Sequence, residues 1–338
     1  MNRFVLFLVV LLTCVGTLFP AAQAEESGDA ESVEPVELKV ATVDAIGTLR
    51  NRMGDWAVDY LADIDNGALS LTHIEGPVLG TAGQVMDQVA EGSVAIIGTD
   101  MAWIAPYDKD LLPTSFGFVF RDLDHFLAYF NSDVFGEIVD RIAEDQGLRI
   151  VAATPLTTRM FFSREPINTV DDLRGLKIRA PGLEMFVESY KAYGANPTPI
   201  AWNETFLALK TGVVDAGQGL PVDVLPNRWH EAAPHVTQLN DMYAAHAWVI
   251  NEDIWQSLSA KQQEALTDTL TGSNEWALDQ ALSQEANIIA ELESEGAIFN
   301  DDFRDTMKVR EMALAHAKKL EAQGKWSAGL IDRMNAIE

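Results

Sequence analysis

Between Arg159 and Pro221 apolar runs and turn residues alternate so closely that few folds can hold the segment. Leu176-Lys177-Ile178-Arg179 reads as a short strand, and Ala180-Pro181-Gly182 breaks it at once. Leu183, Phe186, Val187 and Tyr190 then recur at i, i+3, i+4 and i+7, the spacing of a helix that buries one face. Pro181 and Gly182 stand where that helix would start, because the N–H that proline lacks would be unpaired there anyway. Gly194 stops it, and the turn residues Asn196, Pro197 and Pro199 lead to Ala201-Trp202. Asn203 is a suitable N-cap for a second helix, whose end Gly212 marks. The product is a strand with an arginine at its tip, a helix, a tryptophan loop, a helix and a Gly-rich turn. A guanidinium at a strand tip beside a helix N-terminus is suited to holding a carboxylate.

The rest of the chain extends an α/β pattern. Strand-like runs at 38–43, 69–74, 94–97 and 148–153 alternate with helical stretches, such as the one carrying Leu49, Met53, Trp56, Ala57, Tyr60 and Leu61 on one face. Such open sheets bind ligands beyond the C-terminal strand ends, where Asp44, Thr99 and Asp100 fall. Residues 245–250, with His246 among them, read as a strand returning to the first domain. Ser259 caps a helical stretch running to about Glu295, and Gly272 within it allows a kink or break. Residues 303–337 are again helical, and no long linker divides the chain, which suits domains between which it crosses more than once.

Charge removes several function classes. Acidic residues number 51 against 24 basic, a net −27, whereas nucleic acid and anionic membranes need basic patches. No dense Asp/Glu ligand loop marks a cation site. At the N-terminus Arg3, the apolar run 4–19 and Ala22-Gln23-Ala24 form a secretion signal with a small-x-small cleavage pattern. Leu12-Thr13-Cys14 is a poor lipid-attachment signal, so cleavage after Ala24 would remove Cys14, the only cysteine. Residues 25–37, acidic and carrying Pro35, read as a flexible leader. Enzyme motifs are missing. His230 and His235 stand five apart, off the i, i+4 zinc spacing, and there is no Gly-x-Ser-x-Gly elbow. Gly217-Gln218-Gly219 begins like a dinucleotide loop, but Val222 replaces the third glycine and Pro221 interrupts the helix. The reading is of a non-enzyme with no cofactor and no metal.

At Pro166-Ile167, Asp171-Asp172-Leu173-Arg174-Gly175-Leu176-Lys177-Ile178-Arg179 and Gly194-Ala195-Asn196-Pro197-Thr198-Pro199 the chain resembles the periplasmic solute receptors of TRAP (tripartite ATP-independent periplasmic) transporters. Trp202-Asn203-Glu204-Thr205-Phe206-Leu207-Ala208-Leu209 and Gly212-Val213-Val214-Asp215 continue the likeness in order and spacing. The resemblance implies a two-lobed α/β periplasmic solute-binding fold, with a ligand cleft between the lobes and a long helix shared by both. It places lobe I at 38–156 plus 245–284 and lobe II at 157–244 plus 285–338, with hinges near 153–157 and 243–245. Arg179 matches the arginine that grips the ligand carboxylate, Arg159 a second arginine, and Trp202 an aromatic wall. Gly219 departs from the asparagine many members carry, which would remove a polar contact and enlarge the site. Gln218 either replaces that contact or points away. With Asp44, Thr99, Asp100 and His246 these form the candidate ligand-binding set. The implied function is a monomeric periplasmic receptor that delivers a small carboxylate solute to the membrane permease subunits of a TRAP transporter. The alternatives are a ligand sensor subunit for a signalling receptor and, less favoured, a periplasmic enzyme. The solute stays open among sugar acids, dicarboxylates, keto or aromatic acids and ectoine-like zwitterions.

Overall fold

In the computed structural model, residues 35–338 except Asn66 and Asp301 are described; the expected signal peptide and the leader up to residue 34 lie outside them. Strands β1 (Val36–Thr42), β2 (Leu69–Ile74), β3 (Ile96–Asp100), β4 (Leu148–Thr158), β5 (Met160–Ser163) and β6 (Lys177–Ala180) come first. They are followed by β7 (Asn196–Pro199), β8 (Ala216–Gly219), β9 (His235–Thr237), β10 (Tyr243–Asn251) and β11 (Ile298–Asn300). Since β1 begins at Val36, the last residues assigned to the leader, Val36 and Glu37, are strand. The strands form two sheets, ordered β2-β1-β3-β10-β4 and β11-β9-β5-β8-β6-β7.

Alternation along the strands divides the first sheet's side chains between two cores. Val40, Ile96, Trp248 and Ile250 pack with Met53, Ala57 and Leu61 of the helix Leu49–Ile64, and with Leu266 and Leu270 of the helix Ala260–Ser294. Their neighbours Ala41, Ile97, Ala247 and Val249 face the larger core on the other side. Gly98 pairs opposite Trp248, and a Cβ on it would lie 2.4 Å from the indole. The fully buried tryptophan therefore requires a glycine across from it.

The chain passes between the sheets with almost no slack. β4 ends at Thr158 and β5 begins at Met160, so Arg159 alone bridges them, its N–H donating to Met242 O at 2.9 Å. The return runs through Met242 into β10, where Tyr243 pairs with Thr158. The helix Ala260–Ser294 is capped by Ser259, whose hydroxyl accepts from the Gln262 N–H, and joins the two halves. Leu266, Leu270, Ala277 and Ala281 serve the first sheet's core, while Ile288, Ile289 and Leu292 serve a core with Phe162 of β5 and Trp229. The break that Gly272 allows is not used: the 35-residue helix runs through it. The glycine instead admits Trp56, whose ring would stand 2.8 Å from a Cβ at that position.

The central segment departs from its sequence reading in three places. Pro181 and Gly182 precede the helix Glu184–Ala192 instead of opening it, and Leu183 is the N-cap. Asn203 lies inside a short 3-10 turn, Trp202–Glu204, so it does not cap the helix Thr205–Thr211. Asn196–Pro199 is an edge strand beside β6, where a proline without an N–H is tolerated.

Candidate ligand site between the sheets

Three arginines are buried among the described residues: Arg50, Arg159 and Arg179, at 6%, 9% and 5% exposure. Two are paired and one is not. Arg179 sits near the end of β6, where its Nε donates to Ile200 O at 2.9 Å and fixes the plane of the guanidinium. The Trp202 ring lies 5.5 Å from its Cζ, and Trp202 in turn packs at 4.4 Å on buried Trp229. Among the described residues no carboxylate pairs with Arg179, and its two terminal nitrogens have no protein partner. Burial, with the neighbouring Arg159 charge, pulls it down to about 10, so it remains a cation at neutral pH.

Arg159 is more committed. Its Nη2 donates to Asp100 Oδ2 at 2.6 Å, and its Cζ lies 5.2 Å from the Phe186 ring. Asp100, at the end of β3, also accepts from Arg50 Nη2 at 3.0 Å and, through Oδ1, from the Ala102 N–H at 3.0 Å. Arg50, in the first turn of the helix Leu49–Ile64, was not among the residues singled out from sequence. It also reaches Asp223 Oδ2 at 3.3 Å and approaches Asp44 Oδ1 at 4.0 Å. Asp223 belongs to the short helix Pro221–Val224 that follows β8 of the second sheet. The Arg50–Asp223 pair therefore ties one sheet's helix to the other's. Burial tends to lower the Arg50 pKa, but the three facing carboxylates outweigh it and raise it above the usual range. Burial and the charges of Asp223 and Asp100 push Asp44 up to about 6, against the pull of Arg50.

His246 pairs opposite Asp100 in β10, which puts the two side chains on one face of the sheet. It is fully buried, neither ring nitrogen has a partner among the described residues, and burial next to Arg50 holds it neutral, well below the ordinary range. Thr99, expected beside Asp100, pairs with Ala247 and so points to the opposite face. Gln218 is spoken for: Tyr190 Oη donates to its Oε1 at 2.9 Å, and its Nε2 donates to Asp241 Oδ1 at 2.8 Å. Asp241 also accepts from Tyr193 Oη at 2.8 Å, and burial pushes it up to about 6. Gly219 does not enlarge the site. A Cβ there would lie 2.9 Å from Val224 and 3.1 Å from Trp202, so those side chains fill the space a larger residue would take. Elsewhere, Asp55, His73 and Glu75 bring ligand atoms within 4.8 Å of one another, but both His73 nitrogens are engaged, by Thr42 and by Asp55.

Two α/β lobes, joined by crossing strands and one shared helix, with a cluster of charged side chains between the two sheets, are the architecture of a solute-binding protein. The sequence model of the bacterial extracellular solute-binding proteins, family 7, matches residues 58–323, and the chain belongs to that family. It is 25% identical to the sialic acid-binding periplasmic protein SiaP of Vibrio cholerae over 279 residues, covering 81% of this chain and 85% of that protein. To the ectoine/5-hydroxyectoine-binding periplasmic protein UehA of Ruegeria pomeroyi it is 26% identical over 275 residues, 76% of this chain and 78% of the relative. A TRAP periplasmic solute-binding protein from Roseobacter denitrificans, solved with bound β-D-glucuronate, superposes with a TM-score of 0.83 at 23% identity. That match covers 90% of this chain and all of the other, and it carries the fold.

Proposed function

We propose that this protein is a periplasmic receptor that closes over a small carboxylate-bearing solute and hands it to the membrane subunits of a TRAP-type secondary transporter. One observation carries the reading: among the described residues Arg179 is a buried cation with no carboxylate of its own, its plane fixed and its terminal nitrogens unused. A guanidinium so placed favours an incoming carboxylate, which it can meet with two parallel N–H bonds. Membership of a solute-binding family supports the receptor role, and the sialic acid and glucuronate named for the relatives both carry carboxylates. Arg159 and Trp202 flank the anchor, with Asp100, Asp44 and His246 further along the cleft. The role is binding, not bond-making. A thermal-shift screen of organic acids tests it, because a ligand held only by the native state raises the midpoint. Silence across carboxylates alongside a response to neutral solutes would end the carboxylate reading.

Closure follows from the crossings at Arg159 and Met242, which are short enough to act as hinges between lobes near 38–156 plus 245–284 and 157–244 plus 285–338. The receptor works as a monomer, and small-angle scattering should show it compacting at saturating ligand. An unchanged radius of gyration would count against closure. Export removes residues 1–24, so mass spectrometry of the exported protein should find Glu25 at the terminus; a lipid-modified form starting at Cys14 would contradict this.

A further inference from the structure

The charges of the cleft are unevenly distributed along its length. At one end Arg179 has no ion-pair partner among the described residues. Beyond it, Arg159 and Arg50 supply two positive charges to three carboxylates, Asp100, Asp223 and Asp44. By its ion pairs that cluster is left one negative charge in excess, and buried Asp241, whose charge also acts on Arg159, offsets none of it. Asp44 is its least committed member: Arg50 is 4.0 Å away, and its side chain is 28% exposed. His246 does not supply the missing cation, because it is fully buried and held neutral beside Arg50. Its two ring nitrogens have no partner among the described residues, and it shares the sheet face of Asp100, so an unsatisfied acceptor adjoins the acidic end. The cleft is thus dipolar, positive at Arg179 and negative at Asp44 and Asp223.

We infer that the solute is an aminocarboxylate, with its carboxylate on Arg179 and a protonated nitrogen at Asp44 and Asp223. This rests on the carboxylate-receptor reading above. A buried charge must be matched or its desolvation is not recovered. A simple or hydroxylated monocarboxylate neutralises Arg179 and leaves the excess negative charge enclosed beneath it. A dicarboxylate brings a second anion to an end that already has one too many, which is selection by repulsion. Only a ligand carrying both signs offers an anion to Arg179 and a cation to the acidic end at Asp44 and Asp223.

The test is a calorimetric panel of linear and cyclic aminocarboxylates of three to six carbons, each beside its hydroxy-acid and dicarboxylate counterpart. The aminocarboxylates should supply the tightest binder, with its dicarboxylate counterpart weaker by at least about tenfold. Asp44→Asn keeps the shape and one acceptor but removes the charge. It should weaken that binder by about tenfold or more, with a much smaller effect on any hydroxy acid. A dicarboxylate or hydroxy acid as tightest binder, no binding by any aminocarboxylate, or an Asp44→Asn variant of unchanged affinity would each overturn the inference. Running Arg179→Ala on the same panel keeps the two claims apart. Hydroxy or dicarboxylic acids that bind and depend on Arg179 would leave the carboxylate receptor standing and remove only the amino group.

Discussion

Arg179→Ala is expected to weaken carboxylate binding by about 2–5 kcal/mol, roughly 30- to several-thousand-fold, while leaving the unliganded fold as stable as before. The two halves of that expectation have one cause. Among the described residues Arg179 uses a single protein hydrogen bond, from Nε to Ile200 O, and forms no ion pair, so little of the fold depends on it. Its burial even works against its own charge, pulling it down to about 10. A bound carboxylate changes the balance, because in Arg179→Ala the ligand's anion would lie in the closed cleft with nothing opposite it. Arg179→Lys keeps the charge but loses the planar fork, and Trp202 loses the flat cation 5.5 Å from its ring, so rescue should be partial. Calorimetry on both variants, with thermal melts of the free proteins, gives the two readouts. Undiminished affinity in Arg179→Ala would remove the anchor; a large loss of free-protein stability would make Arg179 a structural residue.

Arg179 was legible in the sequence because everything that places it is local. The strand before it, the Pro181-Gly182 break after it and the helix beyond lie within a few residues, and each leaves a periodic or turn signature. Even there the details slipped: Pro197 and Pro199 read as a turn but form an edge strand, since only the neighbouring strand tells the two apart. Arg50 and Asp223 left no such trace. They stand 173 residues apart, and an ion pair between the sheets has no period. One signal was available: Gly54, Ala57 and Leu61 follow Arg50 at i+4, i+7 and i+11, a buried small-and-apolar stripe that an arginine at its head must join. Gly219 shows the opposite limit. Its missing side chain reads as room, but room is decided by what packs in, and Val224 and Trp202 take it. Gly272 belongs with it, a glycine that allows a helix break and serves as the seat of Trp56.

Asp100→Ala should destabilise the unliganded protein by about 3–5 kcal/mol, because it strands buried Arg159 and takes one of its carboxylates from buried Arg50. Asp100 receives Arg159 at 2.6 Å and Arg50 at 3.0 Å, and the three side chains are only 16%, 11% and 8% exposed. Taking one partner from a buried ion pair costs more than the pair contributes, since the remaining charge has given up its water for nothing. Arg50 keeps Asp223 at 3.3 Å as a second partner, but Asp100 is the only carboxylate within ion-pair distance of Arg159 among the described residues. Arg159 also sits where β4 passes into β5, so a displaced side chain there disturbs the crossing between the sheets. The converse change should be milder: Arg159→Met takes away one cation and leaves Asp100 paired with Arg50 and with the Ala102 N–H. The expected order is therefore a large loss for Asp100→Ala and a smaller one for Arg159→Met, measured as denaturant midpoints at neutral pH without ligand. Equal losses, or the reverse order, would show that the stranded charge is not what holds this junction together.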